Sequence, residues 1–94
     1  MHSTIKVEYL GTVRLLIKKK FDIYTFTVNP TLGLLVQEIG GRYGKIIGQE
    51  CKKQVFIICE PKSDRGIFYK LPKDANILLK QGSVVKILNN ITGG

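Results

Sequence analysis

Few side chains in this sequence belong to types that carry covalent or acid–base chemistry, and those few stand apart. Cys51 and Cys59 are the two cysteines, and they are not spaced as a CxxC pair. Cys59 closes the apolar run Val55–Cys59 and reads as a small hydrophobe. Cys51 follows Glu50 and precedes Lys52 and Lys53. Two cations could favour a reactive thiolate there, but we read it as an exposed loop cysteine without a role. His2 is the single histidine and lies beside the chain's start. It supports neither a Ser-His-Asp nor a Cys-His arrangement, and no cluster of four ligands suits zinc. The acids Glu8, Asp22, Glu38, Glu50, Glu60, Asp64 and Asp74 are scattered singly, so no carboxylate pair for acid–base work is legible. An independent enzyme and a metal site are therefore not expected. What remains is Gly93-Gly94 at the end of the sequence. Without a Cβ, two such residues make a thin segment that can enter a narrow site with its backbone close to a reactant.

Something must position that segment. Ninety-four residues fit a single small domain. Its core is modest, since a chain of this size buries only about 60–65% of its unfolded surface. With 44% apolar and 23% charged residues the composition is that of a globular protein, not a disordered one. The longest apolar run is Val55–Cys59, far short of the ~20 residues that span a bilayer. No apolar segment follows Met1 as in a secretory signal, and two cysteines cannot build a disulfide framework. A cytoplasmic location is expected, without membrane association.

Ile5, Val7 and Tyr9 alternate with Lys6 and Glu8, the period of a half-buried strand that Gly11 ends. Residues 12–20 are ambiguous: Val13, Leu15 and Ile17 alternate, but Leu16 breaks the pattern. Residues 23–28 form a second strand up to the turn signal Asn29-Pro30. Thr31 can cap a helix whose apolar positions Leu32, Leu35, Val36, Ile39 and Tyr43 lie on one face, with Gly44 as its stop. Gly33 inside that helix has no evident reason. Residues 45–53 read as a loop. Val55–Cys59, residues 67–71 and Val84–Leu88 read as strands, with turns at 63–66 and 81–82. One helix against a mixed sheet of four to five strands is an α+β fold. If the first two strands pair antiparallel and the last lies beside the first, it is a ubiquitin-like β-grasp. The expected division is a domain over residues 1–88 and a C-terminal tail over residues 89–94.

With the diglycine directly after a closing strand, the sequence resembles the MoaD/ThiS family of sulfur carrier proteins, which includes the small subunit of molybdopterin synthase. Ile5-Lys6-Val7 resembles that family's first strand and residues 31–43 its helix. Residues 79–87 resemble its closing turn and strand, and Gly93-Gly94 its terminal motif. The resemblance implies that a ubiquitin-activating-type enzyme adenylates the Gly94 carboxylate, which is then converted to a thiocarboxylate. That group would donate sulfur in cofactor biosynthesis, molybdopterin-type or thiamine-type, on a synthase large subunit. Adenylation answers a physical need: a carboxylate is a poor acceptor for sulfide because oxide is its leaving group, and AMP leaves far more readily. Gly94 would be the reacting residue, with Gly93 and Thr92 threading into the partner. ATP and any zinc would belong to the activating partner, and this chain would bind no cofactor. The chain departs from the family at Asn89-Asn90, where Pro-Pro is common, and at Gln81 and Ser83, where Asp often flanks the turn glycine.

Fifteen Lys and Arg against seven Asp and Glu give a net charge of +8. The densest runs are Lys18-Lys19-Lys20 and Lys52-Lys53. We read them as solvated surface; electrostatic steering toward an acidic partner is an intermediate reading. A nucleic-acid surface with Tyr24, Phe26, Phe56, Phe68 and Tyr69 as stacking residues is the alternative. The rival functions are thus a ubiquitin-like modifier using the same glycine and a basic RNA- or protein-binding module. Leu88 and Ile91, nearest the tail, are the expected apolar anchors for a partner.

Overall fold

A computed structural model describes residues 2–90. Five strands form one mixed sheet: β1 (Ser3–Tyr9), β2 (Phe21–Phe26), β3 (Val55–Cys59), β4 (Gly66–Lys70) and β5 (Val84–Leu88), in the order β2-β1-β5-β3-β4. β5 runs parallel to β1 and antiparallel to β3, and β1–β2 and β3–β4 are antiparallel. This is the β-grasp order, with the closing strand in the middle of the sheet. Side-chain alternation then assigns the faces. Ile5, Val7, Tyr9, Tyr24, Phe56, Ile58, Val85 and Ile87 are buried on the inner face.

Three helices cover that face: α1 (Gly11–Ile17), α2 (Leu32–Tyr43) and α3 (Lys45–Lys52). α2 begins as its sequence dictates, with the Thr31 hydroxyl accepting from Leu34 N–H at 3.1 Å, a cap worth about 1 kcal/mol. It buries Leu32, Leu35, Val36 and Ile39, each contributing about 1.5–3 kcal/mol. Gly44 ends it, its N–H donating to Gly40 O. Gly33 also acquires a reason: its N–H donates to Ala75 O at 2.9 Å, and a Cβ there would lie 3.2 Å from that oxygen.

The other two helices correct the sequence reading. Residues 12–20 are not a strand. α1 is two turns long and buries Val13 and Ile17, four apart, while Leu15 and Leu16 face solvent. The first two strands are therefore joined through a helix. Residues 45–53 are not a loop, because α3 buries Gly48 and Cys51. Cys51 is thus not exposed: it is fully buried, and burial pushes its thiol up to about 11, the opposite of activation. The second strand starts and ends earlier than expected, leaving Val28 exposed. The turn expected at 63–66 falls at residues 61–62.

Asp22, read as an isolated acid, is a hub. Its buried carboxylate accepts hydrogen bonds from the Tyr9 phenol at 2.9 Å, from the Tyr43 phenol and from Lys19 Nζ at 2.8 Å, with the Arg42 guanidinium 3.7 Å away. Tyr9 also shares a hydrogen bond with the Tyr24 phenol at 2.7 Å. Burial is the main reason the Tyr9 and Tyr24 phenols resist ionisation, Tyr24 reaching about 12. The hub ties both first strands, the α1–β2 connection and the end of α2 together.

Candidate functional site

Gly94, Gly93, Thr92 and Ile91 lie outside the described residues, which end at Asn90. β5 ends at Leu88, in the middle of the sheet, and anything beyond it leaves from that end. Its neighbour Ile87 is buried, and its carbonyl accepts from Leu10 N–H at 2.9 Å. Leu88 points the other way. It is half-buried on the open face, paired with Val55, where a side chain can belong to the sheet and still meet a partner. Asn89 follows, and its Oδ1 accepts from Thr12 N–H at 2.9 Å. The sequence reading placed Asn89 at the start of the tail and noted it as a departure; a contact between residues so far apart has no local signal. At the other end of β5, Gln81 takes over a pairing role. Its Oε1 accepts from Thr4 N–H, while Gly82 N–H donates to Thr4 O at 2.9 Å.

No described helix covers the outer face of the sheet. Strand register puts Phe21, Glu8, Lys86, Ile57 and Phe68 in one row and Ile23, Lys6, Val84 and Cys59 in the next, with Leu88, Val55 and Lys70 in a third. Phe21 and Ile23 are about half exposed, at 48% and 46%, and Phe68 is 66% exposed. Lys6 lies over the Phe21 ring at 4.7 Å and pairs with Glu8 at 3.6 Å. The face is thus apolar at both edges with a charged stripe along β1 and β5. Of the aromatics considered for base stacking, Phe56 is fully buried and Tyr24 nearly so, which removes them.

The end of the domain that carries Leu88 and Asn89 is also basic. Tyr9 N–H donates to Lys20 O at 2.8 Å, which brings the α1–β2 connection to the same end as Leu10 and Ile87. Arg14, Leu15, Lys18, Lys19 and Lys20 line a concavity there of about 330 Å³. Lys19 is committed to Asp22, so Arg14, Lys18 and Lys20 dominate its field. A second concavity, about 400 Å³ and mostly apolar, lies between α2 and residues 71–75. None of its lining residues belongs to β5 or the tail root, so it is no part of this site. Among the described residues no group of His, Cys, Asp and Glu could hold a metal, and no helix is long and apolar enough to cross a membrane.

No family model and no curated protein matches the chain. Solved structures do. The HVO 2177 protein of Haloferax volcanii superposes with a TM-score of 0.71 at 13% identity, covering 99% of this chain and 88% of its own. A putative molybdopterin converting factor subunit 1 from Pyrococcus furiosus gives 0.63 at 18% identity, over 95% of this chain and 99% of its own. Urm1 from Trypanosoma brucei gives 0.60 at 20% identity, over 99% and 97%. At these identities the likeness establishes the fold, an α+β, ubiquitin-like β-grasp of the MoaD/ThiS-like form.

Proposed function

We propose that this chain is a sulfur carrier, a co-substrate whose Gly94 carboxylate is activated and loaded by partner enzymes. The observation that carries the proposal is a diglycine that follows, within a few residues, the central closing strand of a ubiquitin-like β-grasp. The proposal takes Gly94 as the terminal residue of the mature protein. An adenylating enzyme joins the carboxylate oxygen to the α-phosphorus of ATP and releases pyrophosphate. A sulfide donor then attacks the carbonyl carbon, and the C–S bond forms as the C–O bond to AMP breaks. The resulting thiocarboxylate gives its sulfur to a cofactor precursor, molybdopterin-type or thiamine-type, on a synthase subunit. The similarity to a putative molybdopterin converting factor subunit supports the first of these.

In this reading the chain supplies no catalytic side chain. Its folded part positions the tail and is recognised. The open face, with Phe21, Ile23, Val55 and Leu88, offers apolar contact, and the basic corner at Arg14, Lys18 and Lys20 draws an acidic partner to the end that bears the tail. Gly93 keeps the threaded segment narrow and Thr92 threads with it, and ATP and any zinc stay with the activating enzyme. The test is ATP–pyrophosphate exchange catalysed by the host's activating enzyme. The intact chain should support exchange, while a chain ending at Gly93, or one amidated at Gly94, should support none. Equal exchange with all three would exclude the reading.

A further inference from the structure

We propose that Asn89 is a positioning residue: by capping α1 across the domain, it fixes where the tail leaves the β-grasp. α1 has no cap of its own. Leu10 stands at its N-cap position and provides no side-chain hydrogen bond. The first amides of a helix lack partners within it, and here Thr12 N–H finds one in Asn89 Oδ1 at 2.9 Å, from a residue 77 positions away. The space for that carboxamide exists because residue 11 is glycine. Gly11 has φ +60, and a Cβ on it would fall on the Asn89 amide. Leu10 N–H donates to Ile87 O just before it, so the strand end and the first residue beyond it are both held to the start of α1. Three residues, Gly11, Thr12 and Asn89, thus form one clamp at the tail's root.

The consequence concerns reach. Residues 91–94 span at most about 14 Å when fully extended, so the point from which they start decides which partner sites the end can enter. A free residue 89 would have to be ordered when the tail threads, and ordering one residue's backbone weakens binding about tenfold. The clamp removes that loss before binding. It acts on docking rather than on the activated state, because at saturation the tail is seated either way.

This inference rests on the carrier reading, and two variants separate the two. Asn89→Ala removes the acceptor; Asn89→Asp keeps it. In ATP–pyrophosphate exchange with the host's activating enzyme, Asn89→Ala should raise KM for this chain about tenfold with kcat retained. Hydrogen exchange at the Thr12 amide should quicken in the same variant. Asn89→Asp should restore both. A wild-type KM in Asn89→Ala, or an Asn89→Asp variant as impaired as Asn89→Ala, would overturn the clamp alone. No exchange with the wild-type chain, by an enzyme active on another carrier, would overturn the carrier reading and the inference with it.

Discussion

The Tyr9 phenol donates to the Asp22 carboxylate at 2.9 Å, joining adjacent strands beneath the end of α2. Burial alone would raise the Asp22 carboxyl, but hydrogen bonds from Lys19, Tyr43 and Tyr9 hold it below its ordinary value. A carboxyl lowered by folding stabilises the fold above its unfolded pKa, near 3.9. That contribution is lost as pH falls from there through the folded value. Asp22→Asn should therefore cost about 1.5–3 kcal/mol at pH 7, with the gap to the wild type closing below about pH 4. Urea unfolding at pH 7 and pH 3 measures it; an equal gap at both would contradict the assignment.

Gly40 and Gly48 bring α2 and α3 into backbone contact, since a Cβ on Gly48 would lie 3.0 Å from the Gly40 Cα. Gly48→Val should destabilise by about 1–3 kcal/mol through overpacking. Gly41, one residue along α2, has nothing within 4 Å of a built Cβ. Gly41→Ala should therefore stabilise by about 0.5–1 kcal/mol. Thermal unfolding of the pair distinguishes close packing from mere helix propensity, which would make both substitutions favourable or neutral.

Cys51 and Cys59 should differ in reactivity. Cys51 is sealed between helix and core with its thiol raised to about 11, whereas Cys59 is half-buried on the open face. Under native conditions iodoacetamide should label Cys59 and spare Cys51, and in urea it should label both. Peptide mass mapping reads the result. Native labelling of Cys51 at the rate of a free thiol would show that α3 does not seal it.

The Thr31 cap, the four buried positions of α2 and the apolar run of β3 stand where local pattern placed them, because each rests on neighbours in sequence. α1 hid because it is short, and its exposed Leu15 alternates with Val13 and Ile17 as in a strand. α3 hid because its buried positions are Gly48, which has no side chain to show a period, and Cys51, which stands between Glu50 and Lys52. Asp22 and Asn89 look inert in the sequence; apart from Lys19, three residues before Asp22, their partners come from distant segments and are visible only once the chain has folded.

The basic corner predicts how the carrier meets its partner. Charge reversal at Arg14 and Lys18 should raise KM for the activating enzyme several-fold. The same change at Lys62 and Arg65 should have little effect, because they follow β3 at the opposite end of the sheet from Leu88. Salt should erase the difference as the Debye length shrinks from ~10 Å at 0.1 M to ~3 Å at 1 M. Steady-state exchange kinetics at those two ionic strengths tests it. Equal effects of the two pairs would mean that net charge, not this corner, is recognised.

Intact-protein mass spectrometry shows whether Gly94 carries sulfur. The chain is incubated with ATP, a sulfide donor and the host's activating enzyme, and its mass and C-terminal fragments are read before and after. The account predicts a gain equal to replacing one oxygen by sulfur, located on Gly94 and absent without ATP. An unchanged terminus, in a reaction where the same enzyme loads another carrier, would contradict it.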